Sequence, residues 1–193
     1  SLWNFTLNLL LAAILGAVLF GLEQTGLIIF FIVVQATNVV GALIFGNLQD
    51  KLGGKKALTI SIFLMAACIG AMYFAQNQTH FFIIGAFIGA AMAGVQSVSR
   101  AMVATFSPPG KSGEFFGFFA LTGRTSSFIG PAIFGWLAAE LTLWYQSQGQ
   151  AALLAEQSGH RLALLSIAVF LFAGWVLMLR VNEAKAREMA NLK

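Results

Sequence analysis

Long apolar runs separated by brief polar interruptions set the pattern of this chain. A membrane-crossing helix needs about 20 predominantly apolar residues. Six runs approach or exceed that length: Leu2–Phe20, Thr25–Leu48, Ala57–Ala75, Phe81–Phe106, Phe115–Leu143 and Leu162–Leu179. Each predicts a transmembrane helix. The interruptions are short except 144–161, a polar stretch with Gln146, Gln148, Gln150 and Gln157. That stretch predicts a loop carrying a short surface helix around Ala151–Glu156. No segment is polar and long enough for a soluble domain. The expected fold class is an all-α membrane protein, with six transmembrane helices in residues 1–181 and a tail at 182–193. The first run lacks a basic leader, so it reads as a span cut short at its start, not as a signal peptide. With no strongly polar interior residue and no basic flank, that first helix is expected to be the least tightly held.

Composition supports the same class. Hydrophobic residues make up 59% of the 193 and charged residues 9%, against about 25% charged in ordinary soluble domains. So little charge cannot cover a water-facing surface, so lipid must. The net charge of +4 does not point to nucleic acid, because no basic stripe with interleaved aromatics is present. Its distribution sets topology instead. One side receives Lys51, Lys55, Lys56, Lys111, Arg180, Lys185, Arg187 and Lys193, with Arg100 nearby, and the other only Arg161. The basic side is therefore expected to be cytoplasmic, with both ends of the chain there. A bacterial inner membrane is the expected location.

Little in the sequence suggests catalysis. Cys68 stands alone, and His80 and His160 fall near the expected outer edge without metal-ligand spacing. No Gly-x-Ser-x-Gly, His-Glu-x-x-His or phosphate loop occurs. An enzyme, a cofactor and a metal site are not expected. Asn4-Phe5-Thr6 and Asn77-Gln78-Thr79 fit the glycosylation pattern and read as chance matches. Trp3, Trp136, Trp144 and Tyr145 are expected near helix ends, where interfacial aromatics collect.

Between the second and third runs stands Gly46-Asn47-Leu48-Gln49-Asp50-Lys51-Leu52-Gly53-Gly54-Lys55-Lys56. It resembles the loop signature of the major facilitator superfamily, Gly-x-Leu-Ala-Asp-Arg-x-Gly-Arg-Lys. Gly46, Leu48, Asp50, Gly53 and Lys55 coincide, Lys51 replaces Arg, and Gln49 and Gly54 depart. Three further segments resemble the branch of bacterial UMF1-type proteins and autophagy-related vacuolar effluxers. They are Gly94-Val95-Gln96-Ser97-Val98-Ser99-Arg100, Ser107 to Gly117, and Gly130-Pro131. The resemblance implies a twelve-helix secondary transporter of two six-helix halves. This chain would be the C-terminal half, partnered by a missing N-terminal half in the bilayer. It also implies a small-molecule solute moved by alternating access, with amino-acid efflux the activity of the eukaryotic relatives. A non-transporting membrane scaffold or receptor is the alternative.

Several residues are candidates for that work. In the fourth helix Gly85, Gly89, Ala93, Gln96 and Arg100 share a stripe, with the two glycines read as a packing seam. In the fifth helix Gly117, Ala120, Arg124, Ser127, Pro131 and Gly135 share a small-residue face. Arg124 lies roughly 15 Å from the expected helix start, too deep for easy snorkelling, and needs a carboxylate, carbonyls, water or an anionic substrate group. Arg124, Gln35, Asn38 and Gln96 are the expected cavity residues. For Gln35 and Asn38, interhelical bonding is an equal reading. Gly46, Asp50, Lys51, Gly53, Lys55, Arg100 and Glu114 are the expected gating or structural set, with a charge cluster of Asp50, Arg100 and Glu114. Gly130 and Pro131 are expected to kink the fifth helix.

Overall fold

A computed structural model describes residues 14–108 and 110–183, the side chain of Ser127 apart. Helix α1 occupies residues 14–20 of this range. Then follow α2 (Gln24–Leu52), α3 (Gly54–Phe74), α4 (Gln78–Phe106), α5 (Ser112–Ser147) and α6 (Ala152–Leu179). Helices α2 to α6 are each long and apolar enough to cross a membrane. Without water, a backbone must bond to itself, and a helix does so within one segment. The chain is a multi-pass helical membrane bundle.

The connections are tighter than the polar pattern suggested. Gly53 alone joins α2 to α3, with φ +87° and ψ 159°, a region essentially reserved for glycine. Asn77, in one of the glycosylation-like triplets, is the N-cap of α4: its Oδ1 accepts the His80 N–H at 2.9 Å. The expected loop at 144–161 is corrected. Helix α5 runs on to Ser147 and α6 starts at Ala152, so the expected surface helix is the first turn of α6. The polar residues there suit a helix because they reach the ends of other helices. Gln157 Nε2 donates to the Val18 carbonyl at 3.1 Å, and Arg161 Nη2 to the Ala75 carbonyl at 3.0 Å. His160 thus lies two turns inside α6, and Trp136 lies well inside α5 instead of at its end.

Helices α2 and α4 run parallel and close together. A Cβ at Gly85 would strike the Phe30 ring, one at Gly89 would lie 2.5 Å from the Val34 carbonyl oxygen, and one at Gly94 would lie 2.6 Å from Phe45 Cγ. The tightest point is Gly41, where a Cβ would lie 2.5 Å from both Cα and O of Ala90. Small residues let the two backbones touch, as expected for Gly85 and Gly89. A phenylalanine group closes one end of this seam, with Phe30 and Phe81 stacked at 4.2 Å between centroids. Helices α5 and α6 form a second pair: Phe134, Ala138, Ala163 and Leu164 are buried there, and Gly159 abuts the Thr142 backbone.

The described end of α1 packs against the bundle. Leu15, Leu19 and Leu22 are buried. The Phe20 carbonyl accepts from Gln78 Nε2 at 3.2 Å, beside the Gln157 bond to Val18. Residues 2–13 of the expected first span lie outside the described residues.

Candidate functional site

The α2–α3 loop is built around its glycines. Gly53 supplies the turn, and Gly54 is buried, with Met102 Cγ 2.7 Å from where a Cβ would sit. A side chain at Gly54 would require Met102 to move aside. Gly46 differs: a Cβ there would meet nothing within 4 Å. Lys51 lies in the last turn of α2, where a cation complements the helix dipole.

Lys55 has a specific task. Its Nζ donates to the Leu179 and Val181 carbonyls, each at 2.9 Å, and its own backbone N–H donates to Glu183 Oε2 at 3.2 Å. A cation thus caps the end of α6 while a carboxylate caps the start of α3, each at the favoured pole of a helix dipole. Arg161 makes the corresponding bond to Ala75 at the far end of α3. The antiparallel pair α3–α6 is stapled at both ends, which sequence reasoning missed because each staple joins residues far apart in the chain.

This staple has a measurable consequence. Glu183→Ala should speed amide hydrogen exchange at Lys55, and Lys55→Gln should lower the thermal midpoint by a few degrees, since such bonds contribute about 1–2 kcal/mol. Lys55→Arg should retain most of the effect. Unchanged exchange at Lys55 in Glu183→Ala would show that the cap is not made in the membrane.

The expected charge cluster is not formed by direct bonds: among the described residues, no ion pair or hydrogen bond joins Asp50, Arg100 and Glu114, and all three are exposed. Opposite charges well separated in solvent couple weakly, so proximity to one membrane edge alone does not pair them. Glu114 does lie in the first turn of α5.

Of the expected cavity residues, Asn38 is drawn to another helix: its Nδ2 donates to the Gly89 carbonyl at 3.3 Å, beside the α2–α4 seam. Gln35, Gln96 and Arg124 stand exposed. Helix α5 has 36 residues and, at 1.5 Å per residue, is about 54 Å long, against roughly 30 Å of hydrocarbon. Starting at Ser112, it puts Arg124 about 18 Å from its start, about 3 Å deeper than expected. Three nearby hydroxyls lie on other sides of the helix, since residues one or two apart do not share a face. Thr122, Thr125 and Ser126 are exposed and bond back to the carbonyls of Phe118, Leu121 and Thr122. A Cβ added at Gly113, Gly117, Gly123, Gly130 or Gly135 would meet nothing within 4 Å. The helix continues through Pro131 without interruption.

A profile described as "Vacuole effluxer Atg22 like" matches residues 2–191. The chain belongs to that family. Among Atg22-like relatives, the uncharacterized MFS-type transporter YxiO of Bacillus subtilis (strain 168) is 30% identical over 123 residues, covering 63% of this chain and 28% of the relative. Autophagy-related protein 22 of Cryptococcus neoformans var. neoformans serotype D (strain JEC21 / ATCC MYA-565) is 28% identical over 132 residues, 60% of this chain and 23% of the relative. The multidrug resistance protein MdtG of Rahnella sp. (strain Y9602) is 32% identical over 101 residues, 52% of this chain and 24% of the relative. The chain thus matches only about a quarter of the length of these relatives. No solved structure matches it significantly. The family match and these relatives place the chain in an Atg22-like branch of the major facilitator superfamily.

Proposed function

We propose that the chain is one six-helix half, the C-terminal one, of a twelve-helix secondary transporter that exports a small solute by alternating access. Amino acids are the substrate class that the family resemblance favours. The basic end of the bundle faces the cytoplasm, in a bacterial inner membrane, and an N-terminal half completes the protein.

One observation carries this reading: the α5 face bearing Arg124. A lipid-facing surface does not tolerate an arginine well, at about 2.5–3.5 kcal/mol near a helix centre on insertion scales. Gly117 and Gly135, uncovered and on the same helical face, give it room. Such a face suits a second protein body and a water-filled cavity between the two. Arg124 then holds an anionic group of the solute or a carboxylate of the other half, with Gln35 and Gln96 as further polar wall. Asn38 serves the α2–α4 contact, and Gly130-Pro131 gives α5 a bending point.

The test uses the full-length protein in proteoliposomes loaded with labelled amino acids and organic anions. Saturable efflux of at least one solute, absent from empty liposomes, is expected. Failure to move any of them, while the protein still assembles with a partner membrane protein, would replace this reading with a scaffold or receptor.

A further inference from the structure

At the end of the bundle where Arg161 meets Ala75, α1, α5 and α6 line an open cavity of about 590 Å³. Its walls are mostly apolar, with Ile14, Phe134 and Leu143 among them, and they carry Glu156, His160 and Thr142. A space of this size holds a small organic molecule. Pro131 and Gly135 in its wall continue the α5 face that bears Arg124, and the cavity lies further along that helix toward Ser147.

Apart from the amide of Gln146, which is exposed at its edge, the polar side chains of the cavity present acceptors. His160 Nδ1 lies 2.9 Å from the Glu156 backbone carbonyl. A carbonyl oxygen only accepts, so Nδ1 carries the proton and, in the neutral ring, Nε2 is a bare acceptor. The ring is fixed further by Phe134, edge-on with centroids 6.0 Å apart. The Thr142 hydroxyl donates to the Ala138 carbonyl at 2.7 Å, so its proton is already used. Glu156 is half-buried, and among the described residues its carboxylate has no hydrogen-bond or ion-pair partner. Among the described residues, no lysine or arginine lines the cavity. Arg161, the next cation along the chain, points instead to Ala75 on α3.

A carboxylate in an apolar cavity without a cation calls for one. We propose that this cavity binds an organic ammonium: a protonated amine whose N–H groups bond to the Glu156 carboxylate and His160 Nε2, with an apolar body against Phe134, Ile14 and Leu143. The carboxylate supplies charge complementarity, the acceptor pair orients the ammonium, and the walls select an apolar tail over a small hydrated ion.

The probe is 2-phenylethylamine, with 2-phenylethanol as its neutral counterpart, titrated by calorimetry into the full-length protein in nanodiscs. The amine should bind, and the alcohol at least about tenfold more weakly, the usual size of a hydrogen bond to a charged group. Glu156→Gln should weaken amine binding by about tenfold or more while leaving alcohol binding unchanged. Ala139→Leu, which fills the cavity from an exposed position on α5, should block both ligands. If Glu156→Gln does not fold, the amine-to-alcohol comparison and Ala139→Leu decide. The proposal is overturned by equal affinity for amine and alcohol, by unchanged amine binding in Glu156→Gln or Ala139→Leu, or by no amine binding at all.

Discussion

Arg124→Gln should cut export by about a hundredfold while the protein still inserts and folds. The magnitude is that of losing a charge-assisted, two-pronged hydrogen bond to an anion, about 3 kcal/mol, at a factor of ten per 1.4 kcal/mol. Folding should survive because the substitution removes a charge that the apolar environment disfavours, from a position exposed on the surface of the chain. Arg124→Lys separates two roles. It keeps the charge but loses the planar fork that suits carboxylates, so insertion should stay intact and export should remain impaired. The measurement is initial efflux rate per folded molecule, with folding scored by monodispersity in detergent. A collapsed Arg124→Gln protein whose surviving folded fraction exports at the normal rate would make the residue structural and would remove the central support for the proposed cavity.

Gly41→Leu should be the most destabilising single change in the bundle, at about 3 kcal/mol or more. Overpacking commonly costs about 1–3 kcal/mol where side chains can yield. At Gly41 the obstacle is backbone, since the added Cβ would lie 2.5 Å from Cα and O of Ala90. Relief requires α2 and α4 to separate, which would also lengthen the Asn38 bond to Gly89 and open the contacts at Gly85 and Gly94. Gly46→Leu on the same helix is the control, because a Cβ there meets nothing within 4 Å. Thermal unfolding in detergent should show a large drop for Gly41→Leu and little change for Gly46→Leu. Equal midpoints would mean that the parallel α2–α4 contact is looser than described.

The hydrophobic pattern by itself determined that this is a helical membrane protein. Apolar runs about as long as the bilayer is thick have few other stable solutions, because lipid forbids an unpaired backbone. The runs from Thr25 onward mark real helices, and the glycine spacing at 85 and 89 marked a real seam, since residues four apart in a helix share a face. Asn38 read equally as interhelical glue and as a solute contact, and its bond to Gly89 is decided by which helix lies opposite. The loop signature located the α2–α3 connection, but not what Lys55 grips. Tertiary structure alone decided that Gln157, Gln78, Arg161 and Lys55 hold the ends of other helices, because their acceptors are carbonyls, which every residue carries and no sequence pattern marks. The same blindness turned the polar stretch after Trp144 into a loop when read along the chain. Polarity reports that side chains need partners, and only the folded bundle shows that helix ends supply them.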